Sequence, residues 1–398
     1  MLEVWLIELA KGIGKLFLNP LLYWSILLIL IVGNRRIKKE RMNFGSKVFD
    51  VFSEWKNTWI LAIISGICIS LFTLGTGIVF SYETLLLLSI VMIILSLSTL
   101  KFTMLSASYT VGITYILLLF LPSVLKNQNY VDADLFSQTN FTGLVVIMGI
   151  LLIVEGIILS RVRRNETYPE LVLGSRGVWV GQHHLKKMSL IPFFTLVPTG
   201  LITPMAAFWP YFSLGGETYS LILIPFLICF DHIVRGSLPG QAAGRLAKST
   251  ILLGAIVILI AVGSIFIQGL SLAAVIIAIL GREYINYKHR MNDRQSNAFF
   301  HQMDKGLKVL GIIPGTPADR LEIVVGETVV KVNGQRINSV EGFYQALQES
   351  GASFKLELLD DAGEIRFVRS ALYEGDHHEL GLIFLTNPYR VKKRKKTI

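Results

Sequence analysis

Long apolar runs separated by short polar segments dominate the first 280 residues of the chain. A helix that crosses a membrane needs about 20 predominantly apolar residues. Runs of roughly this length lie at 16–33, 57–80, 84–100, 104–125, 141–160, 189–210 and 218–234. Because such runs favour spanning helices, we expect residues 1–281 to form a multi-span membrane domain with about 8–9 hydrophobic segments.

A longer apolar run at 249–280 has two interpretations. As a single helix, its 32 residues would extend about 48 Å, well beyond the roughly 30 Å of a bilayer core. Two short crossings that turn near Gln268-Gly269 would absorb the excess length, and so would one long, tilted helix. The two interpretations leave the remainder of the chain on opposite sides of the membrane.

The first residues also have two interpretations. One crossing by 16–33 would leave the N-terminus outside the cell. Residues 1–15 also fit an interfacial helix, which lies along the membrane surface, with Trp5, Leu9 and Ile13 on its apolar face.

The charged connections between runs indicate how the spans are oriented. Segments 34–56, 161–188 and 235–248 hold seven, six and three Lys or Arg against three, two and no acids. Segments 126–140 and 211–217 are poor in positive charge. Because cytoplasmic loops carry an excess of Lys and Arg, we expect the three basic segments to be cytoplasmic. If 249–280 turns back as a hairpin, everything after it is cytoplasmic too.

Composition supports a membrane protein. Hydrophobic residues make up 52% of the 398 residues and charged residues only 17%, against about 25% charged in soluble domains. Cys68 and Cys229 lie inside apolar runs and predict neither a disulfide framework nor a metal site. Glu155 and Asp231 are candidates for transport or proton relay, because acids inside spans usually have a function. Against this, Glu155 has no evident partner in the sequence, and Asp231 lies about one turn from a boundary and could reach water.

The pattern of polar and apolar positions changes near residue 282. Residues 282–304 are polar and predict a juxtamembrane linker, 305–386 predict a small α+β module, and 387–398 form a basic tail. Within the module, the β-branched residues of 327–332 indicate a strand, and Asn333-Gly334 is a strong turn signal.

The module resembles a PDZ domain. The residues that carry the resemblance are Pro314-Gly315-Thr316-Pro317-Ala318-Asp319-Arg320, Val325-Gly326-Glu327 and Lys331-Val332-Asn333-Gly334. Glu322 replaces a glycine usual in the family, so the backbone there must avoid a left-handed conformation or be strained.

The PDZ resemblance implies that the module captures an extended peptide, which adds as a strand to a sheet edge. The family's carboxylate-binding loop, hydrophobic-Gly-hydrophobic, matches 380–382, which comes last as in permuted bacterial PDZ domains. The helix at 339–350 would form the other wall of the groove. The implied peptide-binding residues are Leu380, Gly381, Leu382, Ile383, Phe384, Phe343 and Leu347. The alternative is that 380–385 is only a buried closing strand.

The whole chain resembles the MinJ family, the PDZ-bearing membrane adaptors of the Gram-positive division-site selection (Min) system. Segments 5–15 and 306–315 carry this resemblance, together with many spans, basic loops and one C-terminal module. It implies a polytopic α-helical membrane protein with a C-terminal α+β PDZ-like domain.

The implied role is a scaffold that bridges the polar and septal protein DivIVA to MinD, which with MinC inhibits division. Such a scaffold would prevent division near poles and completed septa. The implied localisation is the cell membrane, multi-pass and enriched at septa and poles, with the PDZ domain cytoplasmic. The alternative is a transporter or secretion-system membrane component regulated by a PDZ domain.

The sequence does not predict an enzyme or a cofactor. His378-Glu379 lacks the second histidine of a zinc-protease motif. The module carries eight Lys or Arg against twelve acids over 305–386, which argues against nucleic acid as a ligand. The tail is expected to contact anionic lipids or to remain solvated, and each charge near a lipid surface would contribute about 1 kcal/mol. Its basic residues are Arg390, Lys392, Lys393, Arg394, Lys395 and Lys396.

Overall fold

The chain forms a base that ends at Gln295 and a smaller module that begins at Leu307. The computed structural model describes residues 2–99, 102–126, 136, 138–174, 176–206, 208–214, 218–267, 269–303, 305–351, 353–371 and 380–390. The helices of the base are α1 (Leu2–Leu16), α2 (Pro20–Phe44), α3 (Trp59–Thr76), α4 (Tyr82–Thr99), α5 (Ala107–Leu125), α6 (Phe141–Ser160), α7 (Pro239–Gly263) and α8 (Leu270–Gln295). Its strands are β1 (Tyr168–Leu173), β2 (Trp179–Ile202) and β3 (Tyr219–Val234).

Six of the described helices are long and apolar enough to cross a membrane, namely α2, α3, α5, α6, α7 and α8. The apolar part of α4 is shorter, at Tyr82–Leu97. The prediction of helices in the first five apolar runs is therefore confirmed. The run at 249–280 belongs to two helices, α7 and α8, as the hairpin interpretation requires. The N-terminal residues form a separate helix, α1, ahead of α2.

The prediction of spanning helices at 189–210 and 218–234 is wrong. Most of these two runs lies in β2 and β3, which pair as a long antiparallel hairpin from His183–Val234 to Pro198–Tyr219. The prediction failed because a strand buried on both faces is as uniformly apolar as a spanning helix. Pro192, Pro198 and Pro225 are poorly compatible with a helix interior, which disfavours a helix in these segments.

Helix α3 covers the free edge of β2 along the length of the helix. Glu54 and Thr58, just before α3, bond the backbone of Met188: its N–H donates to the Glu54 carbonyl (3.0 Å) and its carbonyl accepts from Thr58 Oγ1 (3.0 Å). Near the other end of α3, the Phe194 N–H donates to Ser70 Oγ (2.8 Å), and Thr73 Oγ1 donates to the Phe194 carbonyl (2.6 Å). Side-chain hydroxyls thus replace the missing neighbouring strand.

A proline and a glycine complete this contact midway along α3. Pro192 faces the same edge of β2 as Met188 and Phe194, so the N–H that proline lacks would point away from the β3 ladder. Gly66 of α3 lies directly opposite, and a Cβ there would come within 2.0 Å of the Pro192 carbonyl oxygen. Only glycine allows α3 to approach the strand this closely.

The free edge of β3 is covered by α1 and by the 3-10 turn Phe102–Leu105. Glu8 of α1 accepts a hydrogen bond from Ser220 Oγ (2.5 Å) and pairs with Lys11 (3.0 Å). Gly12 lies against the Leu221 carbonyl. Helix α1 is therefore a structural partner of the hairpin at the end of the base that lies away from the module.

The predicted linker at 282–304 is wrong over most of its length, because α8 continues to Gln295. Asp293, near its C-terminus, accepts hydrogen bonds from the backbone N–H groups of Arg235 (2.9 Å) and Gly236 (2.9 Å). The polar end of α8 is thus held against the connection between β3 and α7.

The module contains a strand, a helix and a closing strand within the segments 327–332, 339–350 and 380–385, where the sequence predicts them. Its elements are β4 (Leu307–Ile312), α9 (Pro317–Arg320), β5 (Thr328–Val332), β6 (Gln335–Arg336), α10 (Val340–Gln348), β7 (Ser353–Leu359), β8 (Ile365–Ala371) and β9 (Leu382–Phe384). The sheet order is β8-β7-β5-β4-β9, with β6 paired to β5. Strand β9 therefore lies at an edge of the sheet.

The module docks on one end of the base, which we call the proximal end. Phe49 and Tyr168 of the base share a buried apolar cluster with Leu310, Val325 and Ile383 of the module. Asn165 bonds the module backbone twice, donating to the Ile323 carbonyl (2.8 Å) and accepting from the Val325 N–H (3.0 Å). Arg164 forms an ion pair with Asp361. Apolar contact and directional bonds together fix the orientation of the module.

The edge of β2 provides a test of this architecture. Replacing Thr73 with valine keeps the shape of the side chain but leaves the Phe194 carbonyl unpaired in apolar surroundings, so we expect a loss of about 1–3 kcal/mol of stability. The measurement is thermal unfolding in detergent. Thr76→Val is the matched control, because the Thr76 hydroxyl bonds only within its own helix. Equal unfolding temperatures for the two variants would contradict the role assigned to Thr73.

Candidate peptide-binding groove

A groove lies between β9 and α10. It encloses about 190 Å³ and is lined on the β9 side by Gly381, Leu382, Ile383 and Phe384. The inner edge of β9 pairs with β4, through Ile312–Leu382 and Gly311–Ile383. The outer edge has no strand partner among the described residues. This is the geometry that strand addition requires.

The structure brings four of the seven predicted residues to this groove: Gly381, Leu382, Ile383 and Phe384. Leu380, Phe343 and Leu347 are instead buried in the core of the module. Phe343 packs edge-on against Phe384, with 5.0 Å between ring centroids. These three residues support the walls of the groove and do not line it.

Two lining residues on α10 were missing from the predicted set. Val340 and Tyr344 are half-buried and line the groove opposite β9. They are four residues apart and so lie on the same face of the helix. The sequence shows that α10 has an apolar face. It does not show which of these apolar residues face the core and which face β9, because the two sets are adjacent in sequence.

Gly381 is required by the backbone of the loop. Its φ is +84°, and a Cβ would lie 2.0 Å from Thr316 Oγ1. Its carbonyl accepts a hydrogen bond from the Ile313 N–H (2.9 Å). A larger residue at this position would therefore strain the loop as well as alter any ligand contact. Glu322 adopts the left-handed conformation too, with φ of 53°, so the backbone keeps the shape usual for a glycine.

The groove has a second wall outside the module. Phe44 and Ser46 line it from the base, where α2 ends. A larger cavity of about 450 Å³ lies at the end of the groove farther from Gly381, near Thr386, and the base residue Trp179 is part of its lining.

Glu155, a candidate for transport from sequence alone, is the centre of a buried ion pair. Arg282 of α8 pairs with Glu155 of α6, and both side chains are 0% exposed. Ser106 donates to Glu155 (2.6 Å), and Arg282 donates to Thr250 Oγ1 (3.0 Å). These four residues join α5, α6, α7 and α8. The sequence signal for this partner was weak, because Arg282 fell in the predicted linker.

Asp231 is also paired. It binds His184 Nδ1 (2.8 Å), while Glu170 of β1 binds His184 Nε2 (2.7 Å). His184 precedes Met188 by four residues in β2, so the cluster lies between the Met188–Thr58 contact and the proximal end of the base. Burial opposes charge on His184, but the hydrogen bonds that His184 donates to Asp231 and Glu170 outweigh it and raise the pKa of His184 to about 9. Burial likewise opposes ionisation of Glu170, but the bond to His184 prevails and lowers its pKa to about 2.

Other candidate chemistry is limited. Within the part of the chain that the structure describes, no group of three or more His, Cys, Asp or Glu is arranged to hold a metal ion. Of the basic tail, Arg390 is described: its N–H donates to the Met42 carbonyl (2.9 Å). Residues 392–396 lie outside the described residues.

Comparison with known proteins gives matches of two kinds. Residues 308–359 match the family model for the PDZ domain. The chain is 36% identical over 384 residues to the cell division topological determinant MinJ of Bacillus subtilis (strain 168), and the match covers 96% of each chain. It is also 32% identical over 80 residues to the probable cell division topological determinant MinJ of Lacticaseibacillus paracasei, covering 20% of this chain and 22% of that relative.

The Glu155–Arg282 pair can be tested by a double-mutant cycle. Arg282→Met leaves a buried carboxylate without its partner, and we expect it to cost about 3–5 kcal/mol. Adding Glu155→Leu should restore much of this loss, measured as the unfolding temperature in detergent. Arg290→Met is the control, because Arg290 and its partner Glu283 are both exposed. A double variant less stable than Arg282→Met would contradict an ion pair with a structural role.

The His184 cluster predicts a pH dependence of stability. A raised pKa means that the contribution of His184 is fully present below pH 6.5 and is lost as pH rises through about 9. The lowered pKa of Glu170 means that its contribution is present above pH 4.5 and is lost as pH falls towards 2. We expect the difference in unfolding temperature between the parent protein and His184→Gln to be largest between pH 4.5 and 6.5 and to shrink by pH 9.5. His301→Gln, at an exposed histidine, should show no such trend, and a difference independent of pH would exclude a charged His184.

Proposed function

The chain belongs to the MinJ family of cell division topological determinants, and from this we propose that it is a membrane-anchored scaffold in division-site selection. In this proposal, the base holds the module at the cytoplasmic face of the cell membrane. The groove between β9 and α10 captures an extended segment of a partner protein. The single observation that carries the proposal is the edge position of β9 beside an apolar helix face.

The arrangement of charge supports a cytoplasmic module. The module contacts residues from all three basic segments, among them Phe49 of 34–56 and Arg164 of 161–188. Leu238 of the third segment lies against Gly326 of the module. Because Lys and Arg are enriched in cytoplasmic loops, the module and these loops would share the cytoplasmic side. The two-helix interpretation of 249–280 agrees with this parity.

The partners follow from the family role. We propose that the scaffold bridges a DivIVA-like protein, at poles and septa, to a MinD-like protein, and so prevents division near poles and completed septa. The protein would accordingly be multi-pass and enriched at septa and poles. Contact of the basic tail with anionic lipids remains part of the proposal.

The transporter alternative gains no support from the base. The two acids that would favour it, Glu155 and Asp231, are each paired with a basic side chain. Capture of a peptide by backbone pairing requires neither a cofactor nor a catalytic group. A scaffold therefore explains the groove with fewer assumptions than a transporter does.

Tyr344→Ala tests capture by the groove without straining the β9 loop. Truncating an aromatic wall residue should weaken binding of one partner about tenfold. The measurement is pairwise binding of purified full-length protein, in nanodiscs, to the DivIVA-like and MinD-like proteins. In dividing cells, a fluorescent fusion of the parent protein should form septal and polar foci that depend on the DivIVA-like protein.

Gln345→Ala is the control for this variant, because Gln345 neighbours Tyr344 on α10 but is exposed away from the groove. Unchanged binding of both partners by Tyr344→Ala would show that the groove does not capture them. A uniform membrane signal from the parent fusion would argue against a role in site selection.

A further inference from the structure

Part of the lining of the groove comes from the base. Val340 and Tyr344 of α10 line the groove together with Phe44 and Ser46 of the base. Phe44 also packs against the apolar cluster that contains Ile383. A peptide in this groove would therefore lie between the module and the end of α2.

The side chains of β9 show which ligand positions meet each wall. Leu382 and Phe384 point into the core of the module, whereas Ile383 points into the cluster shared with the base. Side chains of a strand alternate between the two faces of a sheet, and paired residues share a face. An added strand must alternate in the same way. If its carboxylate lies at Gly381, its last and third-from-last residues face α10, and its penultimate and fourth-from-last residues face Phe44 and Ser46.

The base wall is held in place by the backbone on both sides. At the end of α2, Gly45 is left-handed and its N–H donates to the Arg41 carbonyl (3.1 Å). The segment after β9 returns to the same place, where the Tyr389 N–H donates to the Asn43 carbonyl (3.0 Å). The Tyr389 ring lies against Gly45. A wall fixed before a ligand arrives loses little conformational freedom on binding.

Glu40 and Arg36 fix the segment that follows the wall. One carboxylate oxygen of Glu40 accepts the N–H groups of Val48 (2.8 Å) and Phe49 (3.2 Å). Arg36 pairs with both Glu40 and Glu54. The conformation of 45–54 is thus set by a buried charge network of the base.

The larger cavity lies where the earlier residues of such a ligand would pass. A strand with its carboxylate at Gly381 runs antiparallel to β9, so its preceding residues continue past Thr386 into this cavity. The base contributes Val178 and Trp179 to its lining. The remaining lining is rich in amides and hydroxyls, from Gln302, Asn338, Ser339 and Asn387. This surface fits polar side chains.

We propose that the base is a specificity determinant of the groove. Phe44 and Ser46 select the penultimate and fourth-from-last residues of a partner's C-terminus, and the cavity beside Trp179 accepts polar residues before them. The ligand is the extended C-terminal segment of another protein, apolar at its end and polar upstream. This inference rests on the proposed capture by the groove.

The test is selection from a displayed library of random nine-residue C-termini on the full-length protein in nanodiscs. The parent protein should enrich peptides with preferences at all of the last four positions. Phe44→Ala should lose the preference at the penultimate and fourth-from-last positions and bind a parent-selected peptide about tenfold more weakly. Tyr344→Ala should lose the preference at the last and third-from-last positions.

Ser46→Trp provides a second variant, because Ser46 is exposed and a change there does not disturb the core. It should exclude bulky side chains at one of the two positions that face the base. Phe52→Ala and Lys47→Trp are controls, since both residues are exposed and lie outside the groove lining. Both should select the same peptides as the parent protein.

The outcomes separate the two proposals. If Phe44→Ala and Ser46→Trp select the same peptides as the parent protein while Tyr344→Ala does not, the base contributes nothing to specificity and capture by the groove stands. If the parent protein enriches no C-terminus, capture of C-terminal segments fails, and the role of Phe44 and Ser46 fails with it.

Discussion

A hairpin among apolar helices is stable only if the backbone groups on its two free edges have partners, because no water is available there to supply them. Along the β2 edge of this protein the partners are side chains and loop backbone. Ser70 and Thr73 bond Phe194, and Thr58 bonds Met188. Pro192 has no N–H, so the only group that it places on this edge is a carbonyl, against which Gly66 packs. The position of α3 beside β2 meets this requirement.

The base also determines what the module presents. Asn165 pairs with the module backbone as a strand would, and the Arg36 network fixes the loop that packs beneath Ile383. The groove is therefore oriented relative to the base, with its outer wall made from the end of α2. A domain that matches the PDZ family is combined here with a groove whose lining the domain alone does not complete.

Much of this organisation is predictable from sequence, and the failures have identifiable physical causes. The PDZ spacing in 314–334 and the apolar runs that became helices carry local signals. The strands at 189–202 and 219–234 were missed because burial on both faces removes the alternation that distinguishes a strand. Phe343 and Leu347 were predicted for the groove, whereas Val340 and Tyr344 line it, because amphipathicity gives the buried side of α10 but not its rotation. Arg282 and Phe44 act through contacts distant in sequence, which no local pattern records.

The hairpin has a consequence for how the chain is assembled during synthesis. Helices α1 and α3, which supply the hydroxyl, carboxylate and glycine contacts along β3 and β2, both precede the hairpin in the chain. A nascent chain that emerges N-terminus first has therefore already made both flanking helices when the strands leave the ribosome. Each strand can therefore pack against a helix that is already present, and the hydroxyls of α3 are in place for the edge of β2.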